Sequence, residues 1–341
     1  MDQITQAIAV APRVGNIRLY VCGGVATEIC KVFEQDRGNT AVGYGALMPC
    51  YVDTSDSDLD SSISREHVYL LEKKTDGEEV HGSGKVRLEN GEDIARVIKD
   101  IVQRFQPGDF NIIVSSTSGG SGSVFAPMLA KELLSRGFNT VAFGVGTTGD
   151  IQEIENNVKT LKSYDAIARL TKNPLPMFYT QYEKGRKSLD VQEQVREVIS
   201  GLTVLFSRQN RGIDTRDLAN WQNYTNVPAA SHYEAKLVSL HMVDSDEKFN
   251  EVGQIITVAS LAQPGADIDL PTIPAYRLRG ISSVKAVAAP VHFIVAEGQL
   301  IEAVTQFEKN LRALTEQQNS VVKNRALSSD ADKPDANGIV W

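Results

Sequence analysis

A chain of 341 residues, 42% hydrophobic and 23% charged, has room for two medium domains with real cores, and no run approaches the roughly 20 apolar residues of a membrane span. A net charge of −8 argues against nonspecific duplex binding, which needs a cationic face to neutralise phosphates. Cys22, Cys30 and Cys50 form no CxxC pair, and the five histidines have neither HxxxH nor HExxH spacing. Reduced thiols are expected and a protein-ligated zinc site is not.

Residues 1–16 form an N-terminal arm without the basic segment of a secretory signal. Ile17 to Cys22 reads as a buried strand ending at Gly23-Gly24, with a helix through Ile29, Val32 and Phe33 behind it. A short strand at Tyr51-Val52 runs into Asp53-Thr54-Ser55-Asp56. Asn90-Gly91-Glu92-Asp93 reads as a capped helix start, with Ile94, Val97, Ile98, Ile101 and Val102 as its apolar stripe. After the turn signal Pro107-Gly108-Asp109 come the β-branched run Phe110 to Val114, a Gly/Ser-rich loop through Ser123, and a helix from Val124 to Arg136. Thr140 to Gly146 is the next strand, which a right-handed crossover places beside Phe110–Val114. Gly23-Gly24, Asp53, Gly119–Ser123 and Gly146–Asp150 then gather at the carboxyl ends of parallel strands, where such sheets hold ligands.

Ser188 to Phe206 reads as one long helix, closed by Arg208–Gly212. Beyond Tyr224 the runs Leu237–Val243, Gln254–Leu261 and Ala286–Val295 read as strands of a second, mixed α/β domain. A helix from Leu300 to Val322 and an acidic tail from Ser328 to Trp341 follow. The plan is an arm (1–16), a nucleotide-binding domain (17–187), a central helix and loop (188–224), a C-terminal domain (225–325) and a tail (326–341).

Strand, glycine-rich loop and helix let several backbone amides converge on phosphate oxygens, aided by the open amides and dipole of the helix start. Gly119, Gly120 and Gly122 keep Cβ atoms out of the way, and Ser121 and Ser123 are expected to add hydroxyl donors. A flexible Gly/Ser linker is the bland alternative, but a linker has no reason to sit between a buried strand and an amphipathic helix. Neither GxGxxG nor GxxxxGK[ST] is present; His81-Gly82-Ser83-Gly84-Lys85-Val86 lacks the earlier glycine and the hydroxyl residue. Asp214 and Asp217, three residues apart, project to one side of a helical turn. They read either as a helix cap with a dipole-complementing acid or as paired acids serving a reaction.

Gly119-Gly120-Ser121-Gly122-Ser123 followed by Ala126-Pro127 resembles the GGGTGTG-type signature loop of the tubulin and FtsZ superfamily. Pro127 is expected in the first turns of the helix, where its missing amide has no partner. Asp214–Trp221, the tract Pro274-Ala275-Tyr276-Arg277-Leu278-Arg279-Gly280-Ile281 and the ending Ser329–Val340 narrow the resemblance to phage tubulins of the PhuZ type. The resemblance implies an α/β, tubulin/FtsZ-like fold: a doubly wound parallel-sheet GTPase domain joined by a long central helix to a smaller α/β C-terminal domain with an extended acidic tail. By the same resemblance, Gly23, Gly24 and Val25 form the first phosphate loop, with Ala26 where the family has glycine, and Gly84 and Lys85 sense the γ-phosphate. Asp150 lies where ribose is held, Gln192 meets the guanine edge, and Tyr179 stacks on the base in place of an expected asparagine.

Asp214 and Asp217 correspond to acids that enter the next subunit's pocket and orient the attacking water, with Gly212 replacing a family asparagine. The implied ligands are GTP/GDP and Mg²⁺ held mainly by the nucleotide. The implied partner is the chain itself, in a homopolymer with longitudinal contacts that include the tail. No direct nucleic-acid or membrane contact is expected; the setting would be the host bacterial cytoplasm and the cargo a phage DNA compartment. A nucleotide-stabilised scaffold with little hydrolysis and a dinucleotide-binding oxidoreductase are the alternatives.

Overall fold

The computed structural model describes residues 15–36, 45–71, 74–75, 78–79, 88–244, 246–266, 268–282 and 290–323. Gly84, Lys85, the N-terminal arm up to residue 14 and the tail 326–341 lie outside the described residues. The chain begins with β1 (Ile17–Cys22), α1 (Gly24–Cys30), β2 (Leu47–Asp53), β3 (Val68–Leu70), β4 (Lys74–Thr75) and β5 (Glu78–Glu79). It continues through α2 (Leu88–Arg104), β6 (Phe110–Ser116), α3 (Gly122–Ser135), β7 (Asn139–Thr147), α4 (Ile151–Thr171), β8 (Leu175–Tyr182) and α5 (Ser188–Phe206). Last come β9 (Asn210–Arg211), α6 (Thr215–Gln222), β10 (Leu237–Val243), β11 (Gln254–Ala262), β12 (Tyr276–Ser282), β13 (Val291–Glu297) and α7 (Gln299–Lys323).

Eleven strands share one sheet in the order β3-β2-β1-β6-β7-β8-β10-β13-β11-β12-β9, while β4 and β5 pair separately. The strands from β3 through β8 to β10 are parallel to their neighbours. β6 is buried along its whole length, as its near-continuous apolar run requires in a sheet covered on both faces. β13 is antiparallel to both β10 and β11, which gives the C-terminal part its mixed character. Leu175, Pro176 and Met177 of β8 pair with Leu237, Val238 and Ser239 of β10, so the C-terminal strands extend the first sheet.

One face is covered by α1, α5 and α6, with Val191, Val195, Ile199, Leu202 and Phe206 of α5 in its core. The opposite face carries α2, α3, α4 and α7, packed through Ile98, Phe125, Leu133, Tyr164 and Phe307. No helix among the described residues is long and apolar enough to cross a membrane. The α5 boundaries match those read from its apolar stripe. Two local readings are corrected. α2 starts at Leu88, ahead of the expected cap at Asn90–Asp93, because burial of Ile94, Ile98 and Ile101 outweighs the weak local preference of Asn and Gly. Pro127 lies deeper in α3 than expected, since the helix already begins at Gly122. Its missing N–H therefore removes one intrahelical bond.

An aromatic column ties the two halves together. Phe110 of β6 stacks on Phe206 at the end of α5, with ring centroids 4.4 Å apart, and Phe206 meets Trp221 of α6 at 6.1 Å. Trp221 is fully buried, and its indole Nε1–H donates to the Phe293 carbonyl of β13 at 3.2 Å. Trp221→Ala is expected to cost about 3–5 kcal/mol, the usual range for emptying a buried large aromatic site. Urea unfolding followed by far-UV circular dichroism would measure it, and a loss below about 1 kcal/mol would show that the column does not hold the halves together.

Candidate functional site

The loops that leave β1, β2 and β6 meet at the carboxyl end of the sheet. Gly23 has φ +84°, a left-handed conformation that favours glycine. A Cβ on Gly122 would lie 2.4 Å from the Cys22 carbonyl oxygen, so the first loop and the signature loop touch backbone to backbone. A Cβ on Gly24 would overlap the Asp58 carboxylate at 1.9 Å. Gly23, Gly24, Gly119, Gly120, Ser121, Gly122 and Ser123 are thus brought together, with Val25 beside them at 38% exposure.

The helix ends here differ in a telling way. α3 has Ser121 at its N-cap position, no side-chain cap hydrogen bond and no acidic residue in its first turn. α1 has Gly23 at its N-cap and likewise neither. By contrast, α4 and α6 are capped by Asp150 and Asp214. First-turn amides have no intrahelical partner, so α3 and α1 direct uncapped, positively polarised ends at the glycine loops. That arrangement suits a phosphate-bearing ligand.

Serine roles differ from the expectation. The buried Ser123 hydroxyl donates to the Gly119 carbonyl at 2.6 Å and the Gly120 carbonyl at 3.0 Å, so it shapes the loop from within. Ser121 Oγ donates to Asp53 Oδ1 at 2.7 Å, and the same oxygen accepts the Thr54 amide at 2.7 Å. Burial raises the Asp53 carboxyl above its ordinary range, against the lowering effect of the Ser121 and Thr54 hydrogen bonds. Ser116 Oγ accepts the Ser118 and Gly119 amides at 3.2 and 3.1 Å.

Three buried residues of α4 brace this loop and were not singled out from the sequence. Asn156 Nδ2 donates to the Ser118 carbonyl at 3.0 Å, and Thr160 Oγ1 to the Thr117 carbonyl at 2.9 Å. Asn157 Oδ1 accepts the Thr117 hydroxyl at 2.6 Å while its Nδ2 donates to the Thr147 carbonyl at 2.6 Å. The available signal was an Asn-Asn pair followed three residues later by threonine in a helix, polar residues where an apolar stripe belongs.

The expected base contacts separate. Tyr179 packs on the α7 face, edge-on to Phe307 at 6.3 Å between ring centroids. A Cβ on Gly146 would lie 2.1 Å from the Tyr179 hydroxyl. Gln192 belongs to α5, on the opposite face. Strand alternation instead sends Tyr182 to the α5 face, where its phenol hydrogen-bonds Gln192. Tyr179 is therefore not brought to Gln192, and Tyr182 is. Arg196 anchors this corner by donating to the Ile29 and Glu28 carbonyls at the end of α1, at 2.8 and 3.1 Å. Asp150 is exposed and caps α4 by accepting the Glu153 amide at 2.8 Å.

Asp214 and Asp217 lie away from all of this. α5 leaves the glycine-loop end of the sheet and reaches the other, where the Gly45 amide donates to the Ser207 carbonyl at 3.0 Å just ahead of β2. Its 19 residues span about 28 Å. Beyond it Gly212, at φ +96°, turns the chain into α6. Asp214 Oδ1 accepts the Asp217 amide at 2.8 Å, and Asp217 Oδ2 accepts the Asp214 amide at 3.3 Å. This reciprocal capping box is the bland reading of the pair realised in the fold. Asp214 remains exposed and Asp217 half-buried.

No family model matches the chain. It is 25% identical over 334 residues to a phage tubulin-like protein of Pseudomonas phage phiKZ, covering 95% of this chain and 98% of the relative. A second phage tubulin-like protein, of Pseudomonas phage PhiPA3, is 26% identical over 315 residues, covering 89% and 94%. The structure superimposes on the phage tubulin PhuZ bound to GDP with a TM-score of 0.82 and 22% identity, over 96% of this chain and all of that one. The match to a protofilament of TubZ from bacteriophage PhiKZ has a TM-score of 0.79 and 23% identity, over 96% and 99%. These structural likenesses show the tubulin/FtsZ-like fold.

The raised Asp53 carboxyl carries a sign. The folded state binds its proton more tightly than the unfolded state, so the contribution is fully present below the ordinary carboxylate pKa of about 4 and is lost as pH rises through the raised value. Asp53→Asn keeps an acceptor for Ser121 without the charge. Its thermal stability relative to the parent chain should improve as pH rises from about 4 and then level off. Unfolding midpoints measured across that range test this; a parent chain that gains on the variant with rising pH would contradict it.

Proposed function

We propose that the chain is a tubulin-like protein of the phage PhuZ type, a GTPase that polymerises into dynamic filaments. The observation that carries this reading is the division of the chain's polar apparatus. Uncapped helix ends and glycine loops lie at one end of α5, and the acid pair, with Asp214 exposed and Asp217 half-buried, lies beyond the other, a helix length of about 28 Å. Head-to-tail stacking of identical subunits would bring the second set onto the first.

The amides of Gly120, Ser121 and Gly122 and the start of α3 would hold the phosphates, with Gly23, Gly24 and Val25 closing the cradle from α1. Tyr182 and Gln192 would meet the base, and Gly84 and Lys85 would approach the γ-phosphate. Bound Mg²⁺-GTP supplies the phosphoryl group and, through the metal, much of the charge neutralisation. Mg²⁺ would be held mainly by the nucleotide. Asp214 and Asp217 of one subunit accept hydrogen bonds from the attacking water in the next subunit's pocket and so orient it in line with the γ-phosphate. The tail from Ser328 to Trp341 docks on a neighbouring subunit, and the filaments position a phage DNA compartment in the host cytoplasm.

A second reading has its own observation. Both carboxylates already serve the α6 capping box, as a nucleotide-stabilised scaffold with little hydrolysis would also allow. Under the GTPase reading, specific activity rises with protein concentration above a threshold, as measured by phosphate release over a dilution series. Asp217→Ala then lowers turnover at least a hundredfold, on the order seen when a transition-state group of phosphoryl transfer is lost, with GTP affinity nearly intact. Filaments with negligible phosphate release from the parent chain would establish the scaffold instead. Constant activity per molecule down to high dilution would show that one subunit holds the whole site.

A further inference from the structure

The tract Pro274–Ile281 has no assigned role, yet the chain folds its acidic loop directly against it. β12 lies between β11 and β9, and residues along it meet successive residues of the loop. Ser282 and Ile281 pair with Asn210 and Arg211. A Cβ on Gly280 would come 2.8 Å from Ile213 Cδ1, and one on Gly212 would come 3.1 Å from the Arg279 carbonyl oxygen. The absence of side chains at Gly280 and Gly212 is therefore what lets the loop settle on the strand, with Ile213 buried at 5% exposure. At the start of β12 the Tyr276 hydroxyl donates to Asp217 Oδ1 at 3.2 Å.

Both oxygens of Asp217 are thus engaged on the inner side. Oδ2 accepts the Asp214 amide and Oδ1 accepts the Tyr276 phenol, so rotation about χ2 would break one bond or both. The Asn220 side chain hydrogen-bonds the same phenol, which links two positions three apart on α6 through one tyrosine of another element. An aspartate on a helix surface ordinarily samples several rotamers. Here a side chain from a neighbouring strand selects one, and each carboxylate oxygen keeps a further lone pair for an outside donor.

We infer that Tyr276 is a positioning residue for Asp217, and that β12 is the template that presents the acidic loop to the neighbouring subunit's nucleotide. This inference rests on the assignment of Asp214 and Asp217 to water orientation. Hydrolysis then depends on a residue about 60 positions downstream of the acids that touches neither nucleotide nor water.

The test is a double-mutant cycle on assembled protein, with Tyr276→Phe, Asp217→Ala and the double variant compared with the parent chain. Tyr276→Phe removes only the hydroxyl. It should lower phosphate release per polymerised subunit about tenfold, the scale of losing one hydrogen bond to a charged group. Polymer mass, GTP affinity and thermal midpoint should stay at parental values. In the Asp217→Ala background the same change should have no further effect on turnover, because the tyrosine acts through that carboxylate. Asn220→Ala, which leaves both partners in place, should give a smaller loss in the same direction and serves as the second probe if Tyr276→Phe is poorly folded.

Parental turnover in Tyr276→Phe alongside a large loss in Asp217→Ala overturns the positioning role and leaves the shared-site reading standing. Equal effects of Tyr276→Phe with and without Asp217 also overturn it, since they would make the tyrosine a general structural support. Parental turnover in Asp217→Ala overturns the shared-site reading and this inference together.

Discussion

A helix of 19 residues cannot bring its two ends together, and the arrangement of this molecule depends on that rigidity. α5 is packed along its length by Val191, Val195, Val198, Ile199, Leu202 and Phe206, so it neither bends nor slides without emptying the core. Its first turns lie at the same end of the sheet as the glycine loops, and its end hands the chain to the acidic pair. Hydrogen-bond reach is about 3 Å, an order of magnitude less than the helix length of about 28 Å. A reaction that needs both ends must therefore draw them from two copies. Under the proposed function, the link between assembly and chemistry follows from this length.

Helix capping is allocated in keeping with this division. α4 and α6 satisfy their first-turn amides with Asp150 and Asp214, whereas α1 and α3 make no side-chain cap hydrogen bond. A missing cap ordinarily costs about 0.5–2 kcal/mol, and α1 and α3 forgo one where they point at the glycine loops; α5 also forgoes one, at Lys187. The signature loop is also held from behind. Asn156, Asn157 and Thr160 lie fully buried beneath it and bond the backbone or side chains of Thr117, Ser118 and Thr147. Buried polar groups with partners in place rigidify their surroundings, and the same groups without them would be costly. The loop is thereby shaped before any ligand arrives.

The acidic end is organised by a different device. Its two carboxylates cap their own helix, and the capping box fixes their separation. Two readings that compete in the sequence, a helix cap and a reactive pair, are compatible in the fold, because a cap uses only part of a carboxylate's accepting capacity. Holding the acids in a box limits their rotamers in advance of any contact with a neighbour.

The sequence by itself determined the elements whose causes are local. The α5 boundaries follow from helical spacing of apolar residues, β6 from a β-branched run behind Pro107-Gly108-Asp109, and the glycine-rich loop from small residues between that strand and α3. The DxxD spacing likewise foretold the turn in which Asp214 and Asp217 bond one another. Only the tertiary structure decided which face of β8 meets α5, and so that Tyr182 rather than Tyr179 reaches Gln192. A period of two names the alternation but not which side the long helix will cover. It likewise decided that β8 pairs with β10 and joins the two halves in one sheet, that Asn156 and Asn157 turn inward, and that Tyr276 meets Asp217 across 59 positions of chain. Those contacts depend on packing between elements remote in sequence, and periodicity, being a property of one element at a time, carries no record of them.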